Sequence, residues 1–441
     1  MKRFFLTLAA VAIGSVLLMK EARAQQSVTD SIISSLQADE DNSKTAIDLI
    51  NRLKVTGYIQ AQWQLADTAG INSFSGGNFP KTSDNRFAIR RGRVKFVYDY
   101  SFSQFVLQLD ATEKGVAIKD AYVAIMEPWS QFVTLTAGVF NRPFGYEISY
   151  SSSSRETPER ARAFQSLFPN ERDLGAKITL QPKKGTRFDF IKLDAGYFAG
   201  NGINPEFDNK KDFIGQLSMS KANRAQTFKY GIGFSFYDGG VFQGTKYVYN
   251  PGTLSDGNKG FVVDSTSSNK NGFAKRQYMG FDAQASLQSV IGITTFRGEY
   301  LWGKQPGSNA SNVSIASGTA PTTDTYNRDF SAAYVYLIQN IGTTKNQLVV
   351  KYDWYDPNTK VSGNQIVAKN GSVKTNLTAN DIKFTTLGLG WNYRFNPQVK
   401  FTAYYEIVKN ETTGITGANS TNNYTKDLKD NVLTLRIQYK F

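Results

Sequence analysis

From Lys54 onward the chain alternates apolar and polar residues with a period of two, and few architectures tolerate that over so long a stretch. In "KVTGYIQAQWQLA", Val55, Ile59, Ala61, Trp63 and Leu65 share one parity and Thr56, Gln60, Gln62 and Gln64 the other. The pattern returns in "RGRVKFVYDY", "FDFIKLDAGYF", "TFKYGIGFSFYD", "NQLVVKYDWYD" and "DNVLTLRIQYKF". Successive side chains of a strand point to opposite faces, so each segment reads as a strand with one apolar and one polar side. Sixteen such segments fall at 54–66, 86–100, 103–112, 117–127, 130–140, 173–181, 187–199, 211–221, 226–238, 273–288, 292–304, 328–340, 346–356, 382–396, 398–409 and 430–441. Their connectors alternate between short turns such as "EPWS", "SVIG" and "NPQ" and long polar loops near 67–85, 141–172, 200–210, 239–272, 305–327, 357–381 and 410–429. Short turns on one side and long loops on the other predict an all-β fold, a transmembrane antiparallel up-and-down barrel. Sixteen is the expected strand count, and fourteen or eighteen would keep the pattern. Closure removes unpaired edges that lipid cannot satisfy, and sixteen strands predict a water-filled lumen.

Residues 1–24 read as a secretory signal: Lys2 and Arg3, the run "LTLAAVAIGSVLLM", then Ala22 and Ala24 at small cleavage positions. No run reaches the roughly eighteen apolar residues of a spanning helix, so a membrane crossing is left to strands. Residues 25–53 space their apolar residues as helices do and form an expected helical segment before the barrel domain, 54–441.

Composition narrows the chemistry. There is no Cys and no His, so disulfide frameworks, thiolate sites and His-dependent hydrolase constellations are all missing, and neither a metal nor a cofactor is expected. The formal charge is +14; the signal holds four bases and one acid, a net +3, which leaves +11 for the rest. That surplus favours anionic partners. No zinc-finger, RRM or helix-turn-helix pattern points to nucleic acid.

Charge sorts the two faces. Val94, Phe96, Tyr98 and Tyr100 take one parity, and Arg91, Arg93 and Lys95 the other. A cation facing mid-bilayer costs about 2–4 kcal/mol, so these three are expected in the lumen. The same sorting places Asp110, Arg297, Glu299, Lys351, Asp353, Lys400, Glu406, Arg436 and Lys440 inside, and Leu433 to Tyr439 against lipid. Tyr100, Trp129, Tyr237, Trp302 and Trp354 are expected in an interfacial aromatic girdle.

Residues 86–180 also carry "RRGRVKF", "DAYV", "GVFNRPFGYE", "RETPERARAF" and "ERDLG", in that order. This run resembles the phosphate-selective porin O and P family. The resemblance implies a homotrimeric outer-membrane channel whose loop 141–172 folds inward, and a final aromatic, Phe441, that serves membrane insertion. By position it makes Arg142, Arg155, Arg160, Arg162 and Arg172 constriction candidates, facing Arg91, Arg93 and Lys95 on the wall. Guanidinium forks suit oxyanions through paired hydrogen bonds. The loop also holds Glu147, Glu156, Glu159 and Glu171. The expected function is passive diffusion of small hydrophilic solutes with anion preference, phosphate or another oxyanion included. Two alternatives stay open: a general porin with a field across its pore, and a surface-binding or adhesive barrel.

Overall fold

The computed structural model describes residues 52–417 and 420–441. The expected signal, and the expected helical segment up to residue 51, lie outside the described residues. The described residues fall into two compact units: residues 52–54 with Val97–Tyr100, and Val55–Phe96 with Ser101–Phe441. In the first, Lys54 Nζ donates to Asp99 at 2.8 Å.

The strands in chain order are β1 (Leu53–Ala66), β2 (Asn85–Tyr100), β3 (Ser103–Thr112), β4 (Gly115–Met126), β5 (Val133–Asn141), β6 (Arg172–Leu180) and β7 (Ile191–Phe198). There follow β8 (Asp212–Ala222), β9 (Phe228–Phe242), β10 (Val248–Thr253), β11 (Lys259–Asp264), β12 (Phe273–Ser289) and β13 (Gly292–Gly307). The remainder are β14 (Thr325–Asn340), β15 (Asn346–Asp356), β16 (Lys369–Asn370), β17 (Val373–Lys374), β18 (Phe384–Arg394), β19 (Val399–Asn410) and β20 (Val432–Lys440). β10 with β11 and β16 with β17 are hairpins inside long loops; the other sixteen strands form the barrel.

Closure comes from antiparallel pairing of β20 with β1, where Ile437 opposes Ala61 and Gln438 opposes Gln60. The seam continues as Phe441 N donates to Gly57 O at 2.9 Å and receives Gly57 N on its own oxygen at 3.1 Å. A Cβ on Gly57 would lie 2.5 Å from the Phe441 ring, so this position needs glycine.

The parity expected from the sequence holds around the wall. Outward-facing Leu135, Ile178, Leu217, Phe234, Phe281, Phe296, Leu337, Val350, Leu389, Leu435 and Ile437 are all exposed. An apolar belt contributed by so many strands is far larger than the few hundred Å² a water-facing surface carries, and its physical complement is lipid. Tyr237 departs from the expected girdle. It points inward, is buried, and donates its hydroxyl to Asp212 at 2.6 Å.

Alternation changes phase in two strands. In β4, Gln108 of β3 pairs with Asp120 and Leu109 with Ile118, leaving Lys119 as a bulged extra residue. Val116 and Ile118 are exposed before the bulge, Val123 and Ile125 after it. In β2, Phe87 and Ile89 are exposed while Arg91 and Arg93 are buried, so the parity reverses near Arg90. A bulge places adjacent side chains on one side of the sheet and re-aims the remainder of its strand.

Phe234, which opposes Leu217 and Phe281, should resist charge. Phe234→Arg is expected to lower the refolding free energy in lipid vesicles by about 2–4 kcal/mol. Ser218→Arg, on the lumen side, should cost far less. Equal costs would contradict the assigned faces.

Candidate functional site

Residues 142–171 enter the barrel through two short helices, α1 (Gly145–Ser149) and α2 (Arg162–Leu167). Gly145 sets the entry. Its φ is +64, and a Cβ there would meet Glu299 Oε1 at 1.7 Å. With no side chain in the way, Gly145 N donates to Ser235 Oγ at 2.9 Å and Gly145 O accepts from Gln216 at 3.0 Å. Glu299 Oε2 accepts from Tyr146 N at 3.2 Å, from Glu147 N at 3.3 Å and from the Tyr334 hydroxyl at 3.0 Å. A buried carboxylate here binds the start of the loop to the wall through backbone donors.

Behind that anchor the loop packs as a core element. Phe144, Ile148, Phe164, Leu167 and Phe168 are buried against Tyr237, Tyr278, Phe330, Tyr334, Tyr336 and Tyr355 of the inner wall. Ring centroids are 4.9 Å apart for Phe144 and Phe168, 5.5 Å for Phe168 and Tyr278, and 5.8 Å for Phe164 and Tyr334. These distances suit offset and edge-on aromatic packing. The lumen beside β9 and β12–β15 is therefore filled by packed side chains, apolar and aromatic ones together with buried charges such as Arg297, Glu299, Lys351 and Asp353. This differs from the water-filled interior expected of sixteen strands, because the loop brings its own hydrophobic face inside.

The loop's charges meet partners on the wall. Glu159 receives Arg90 at 2.8 Å, Arg91 at 2.8 Å and Arg436 at 3.1 Å, across the seam of β1, β2 and β20. Arg436 also donates to Pro158 O at 2.9 Å. Burial alone would raise the Glu159 carboxyl, but these arginines outweigh it and hold the group well below the usual carboxylate range. Glu171 pairs with Arg160 and, at 2.8 Å, with Arg172. Burial opposes this too, and the two arginines again hold the carboxyl well down. Glu156 receives Arg297 at 3.2 Å, while Glu147 accepts from Ala161 N at 3.1 Å and from the Tyr336 hydroxyl at 2.9 Å. The serine run rests on the seam: Tyr58 shares a 2.5 Å hydrogen bond with Ser152, and Gln438 donates to Ser153 O at 3.0 Å.

The basic candidates separate into groups. Arg91 meets Glu159, Arg93 meets Asp110 at 2.9 Å, Arg142 meets Asp173 at 2.9 Å, and Arg172 meets Asp120 at 3.0 Å. The wall arginines thus face carboxylates rather than the loop's arginines. Arg155 is buried with no partner at any guanidinium nitrogen among the described residues, and Lys400 donates to its carbonyl at 2.8 Å. Arg162 stands apart, between Phe74 and Phe384.

What stays open lies between the loop and the wall from β1 to β9, with Asp282 and Gln284 of β12 at its border. A cavity of about 570 Å³ there adjoins one of about 320 Å³, and Lys95, Asp120, Asn141 and Ser149 line both. Arg93, Lys95, Arg160, Arg172 and Lys440 line the smaller, with Asp120 its one acidic residue. Lys119, freed by the β4 bulge, sits among Glu171, Arg93, Arg172 and Asp110. Neither Lys95 nor Lys119 has an ion-pair partner among the described residues. Sequence reasoning missed Arg90 and Lys119. The signal was present as the two parity reversals, each beside a pair of adjacent charged residues.

Solved structures share this fold. The fold matches the anion-selective porin from Comamonas acidovorans with a TM-score of 0.50 at 10% identity, over 88% of this chain and 99% of that one. The outer membrane channel DcaP of Acinetobacter baumannii gives a TM-score of 0.49 at 11% identity, over 88% and 97%. The outer membrane protein OmpT of Vibrio cholerae in its trimer form gives 0.48 at 11%, over 88% and 99%. The likeness to the Comamonas porin is one of fold. No family model and no curated protein matches the sequence.

Glu159→Gln leaves three arginines facing a neutral amide, and breaking a buried ion pair costs about 3–5 kcal/mol. A matching fall in unfolding free energy is expected, and an unchanged denaturant midpoint would contradict the anchoring role. A carboxylate held low contributes stability fully above its ordinary pKa and loses it only as pH falls through the lowered value. Limited proteolysis of residues 142–171 should therefore stay constant from pH 7 down to about 5 and rise only in stronger acid.

Proposed function

We propose that the chain is an outer-membrane channel for passive diffusion of small hydrophilic solutes, with preference for anions. One observation carries the preference: the smaller lumen cavity is lined by Lys95 and Lys440 beside the ion-paired Arg93, Arg160 and Arg172, with Asp120 its one acidic lining residue. Lys95 and Lys440, both without an ion-pair partner among the described residues, keep their fields for a passing ion. An array of such groups lets an anion enter without holding it at a single tight site. The apolar belt and the closed barrel support the membrane setting, since closure leaves no backbone edge for lipid to satisfy. Selectivity for phosphate and assembly as a homotrimer rest on the motifs of residues 86–180 and belong to this reading.

A general pore is the second reading, and the larger cavity favours it. There Lys95, Arg142, Lys177 and Lys192 stand with Asp120, Asp194 and Asp282, a mixture that would place a field across the passage.

Planar-bilayer recording separates the two. Discrete conductance steps with a reversal potential shifted toward the anion are expected. Lys95→Glu combined with Lys440→Glu should reverse the sign of that shift. Absence of steps would overturn the channel, and cation preference in the unaltered protein would overturn the anion claim alone.

A further inference from the structure

At the long-loop end of the barrel, a cavity of about 520 Å³ opens among the loops that follow β1, β5, β13, β15 and β19. Its wall is mixed: Tyr355, Phe384, Tyr424, Ile415 and Leu428 give it an apolar and aromatic side, and asparagines and threonines line the remainder. Arg162 and Asp430 supply opposite charges to the same cavity.

The Arg162 guanidinium lies 4.4 Å from the Phe74 ring centroid and 3.9 Å from that of Phe384. A guanidinium that packs its face on rings keeps its in-plane N–H edge for a partner. No hydrogen bond or ion pair among the described residues engages that edge, and Nε is buried without a partner. Asp430 is buried as well, with Oδ1 unpartnered, and it makes no ion pair with Arg162. Burial pushes its carboxyl up to about 7, with Arg162 opposing the rise and Asp427 and Asp67 adding to it. A half-buried guanidinium and a buried carboxyl that share a cavity without contact leave a donor edge and an acceptor for a ligand to bridge.

We propose that this cavity binds free amino acids with large apolar or aromatic side chains. The α-carboxylate lies along the Arg162 edge as a planar fork pair, the α-ammonium meets Asp430, and the side chain rests on the aromatic wall. The volume falls in the usual range for a small-molecule site. Arg162 and Asp430 also line the narrow gap that leads to Arg160, and Arg160 lines the smaller lumen cavity. The site's use as an entry point rests on the channel reading; its chemistry does not.

Isothermal titration of the full purified chain in detergent tests it with L-phenylalanine, 3-phenylpropanoate, phenethylamine and glycine. Phenylalanine should bind about tenfold or more tightly than each of the others. Asp430→Asn should weaken phenylalanine about tenfold and leave 3-phenylpropanoate unchanged, which also shows that the variant is folded. Arg162→Lys, which keeps the charge and loses the fork, should weaken both carboxylates. Absence of phenylalanine binding, or equal affinity for all four compounds, would overturn the site. Conductance of the same preparation separates the two readings: channels without phenylalanine binding sink only this site, and binding without channels sinks only the channel.

Discussion

A charged side chain facing the middle of a bilayer costs about 2–4 kcal/mol, and the interior of this barrel is organised by that constraint. Charges excluded from the outer face collect inside, where they must be hydrated or matched. The chain matches most of them. Asp110, Asp120 and Asp173 take wall and loop arginines, and the inward loop brings Glu159 to three arginines that would otherwise crowd the seam. The ion pairs seat the loop, and the seated loop decides where space for solute remains.

Two kinds of packing then divide the lumen. Beside β9 and β12–β15 the loop's aromatic residues complete a core with inward tyrosines and phenylalanines. Along β1 to β9 the loop presents serines, carboxylates and arginines, and the two cavities that share Lys95 lie there. A passage confined to one side of the plug can carry a strong basic bias although the barrel interior as a whole contains many paired charges.

Much of this was legible in sequence because period-two alternation encodes both the strand and its faces. The last strand is the plainest case: Leu435 and Ile437 are exposed, and Arg436 and Gln438 are buried inside. Bulges were harder, since one extra residue reverses every face after it. The reversals between Ile118 and Val123, and between Ile89 and Val94, were nonetheless written in the chain, and they account for Lys119 and Arg90. The packed half of the lumen was hidden for a different reason. Phe164 meets Tyr334 through a contact far apart in sequence, which no local pattern reports. One hint existed in β14, whose "FSAAYVYLI" is apolar on both parities, as befits a strand covered on both faces.

The most direct test of a lumen half sealed and half open uses the absence of native cysteine. Ala124 lines the larger cavity, whereas Ala332 is fully buried under the plug. Ala124→Cys and Ala332→Cys make equally small changes on opposite sides. A negatively charged, membrane-impermeant thiol reagent should label Ala124→Cys and lower its conductance, and leave Ala332→Cys unlabelled. Equal labelling at both positions, or labelling at Ala332→Cys alone, would contradict the account.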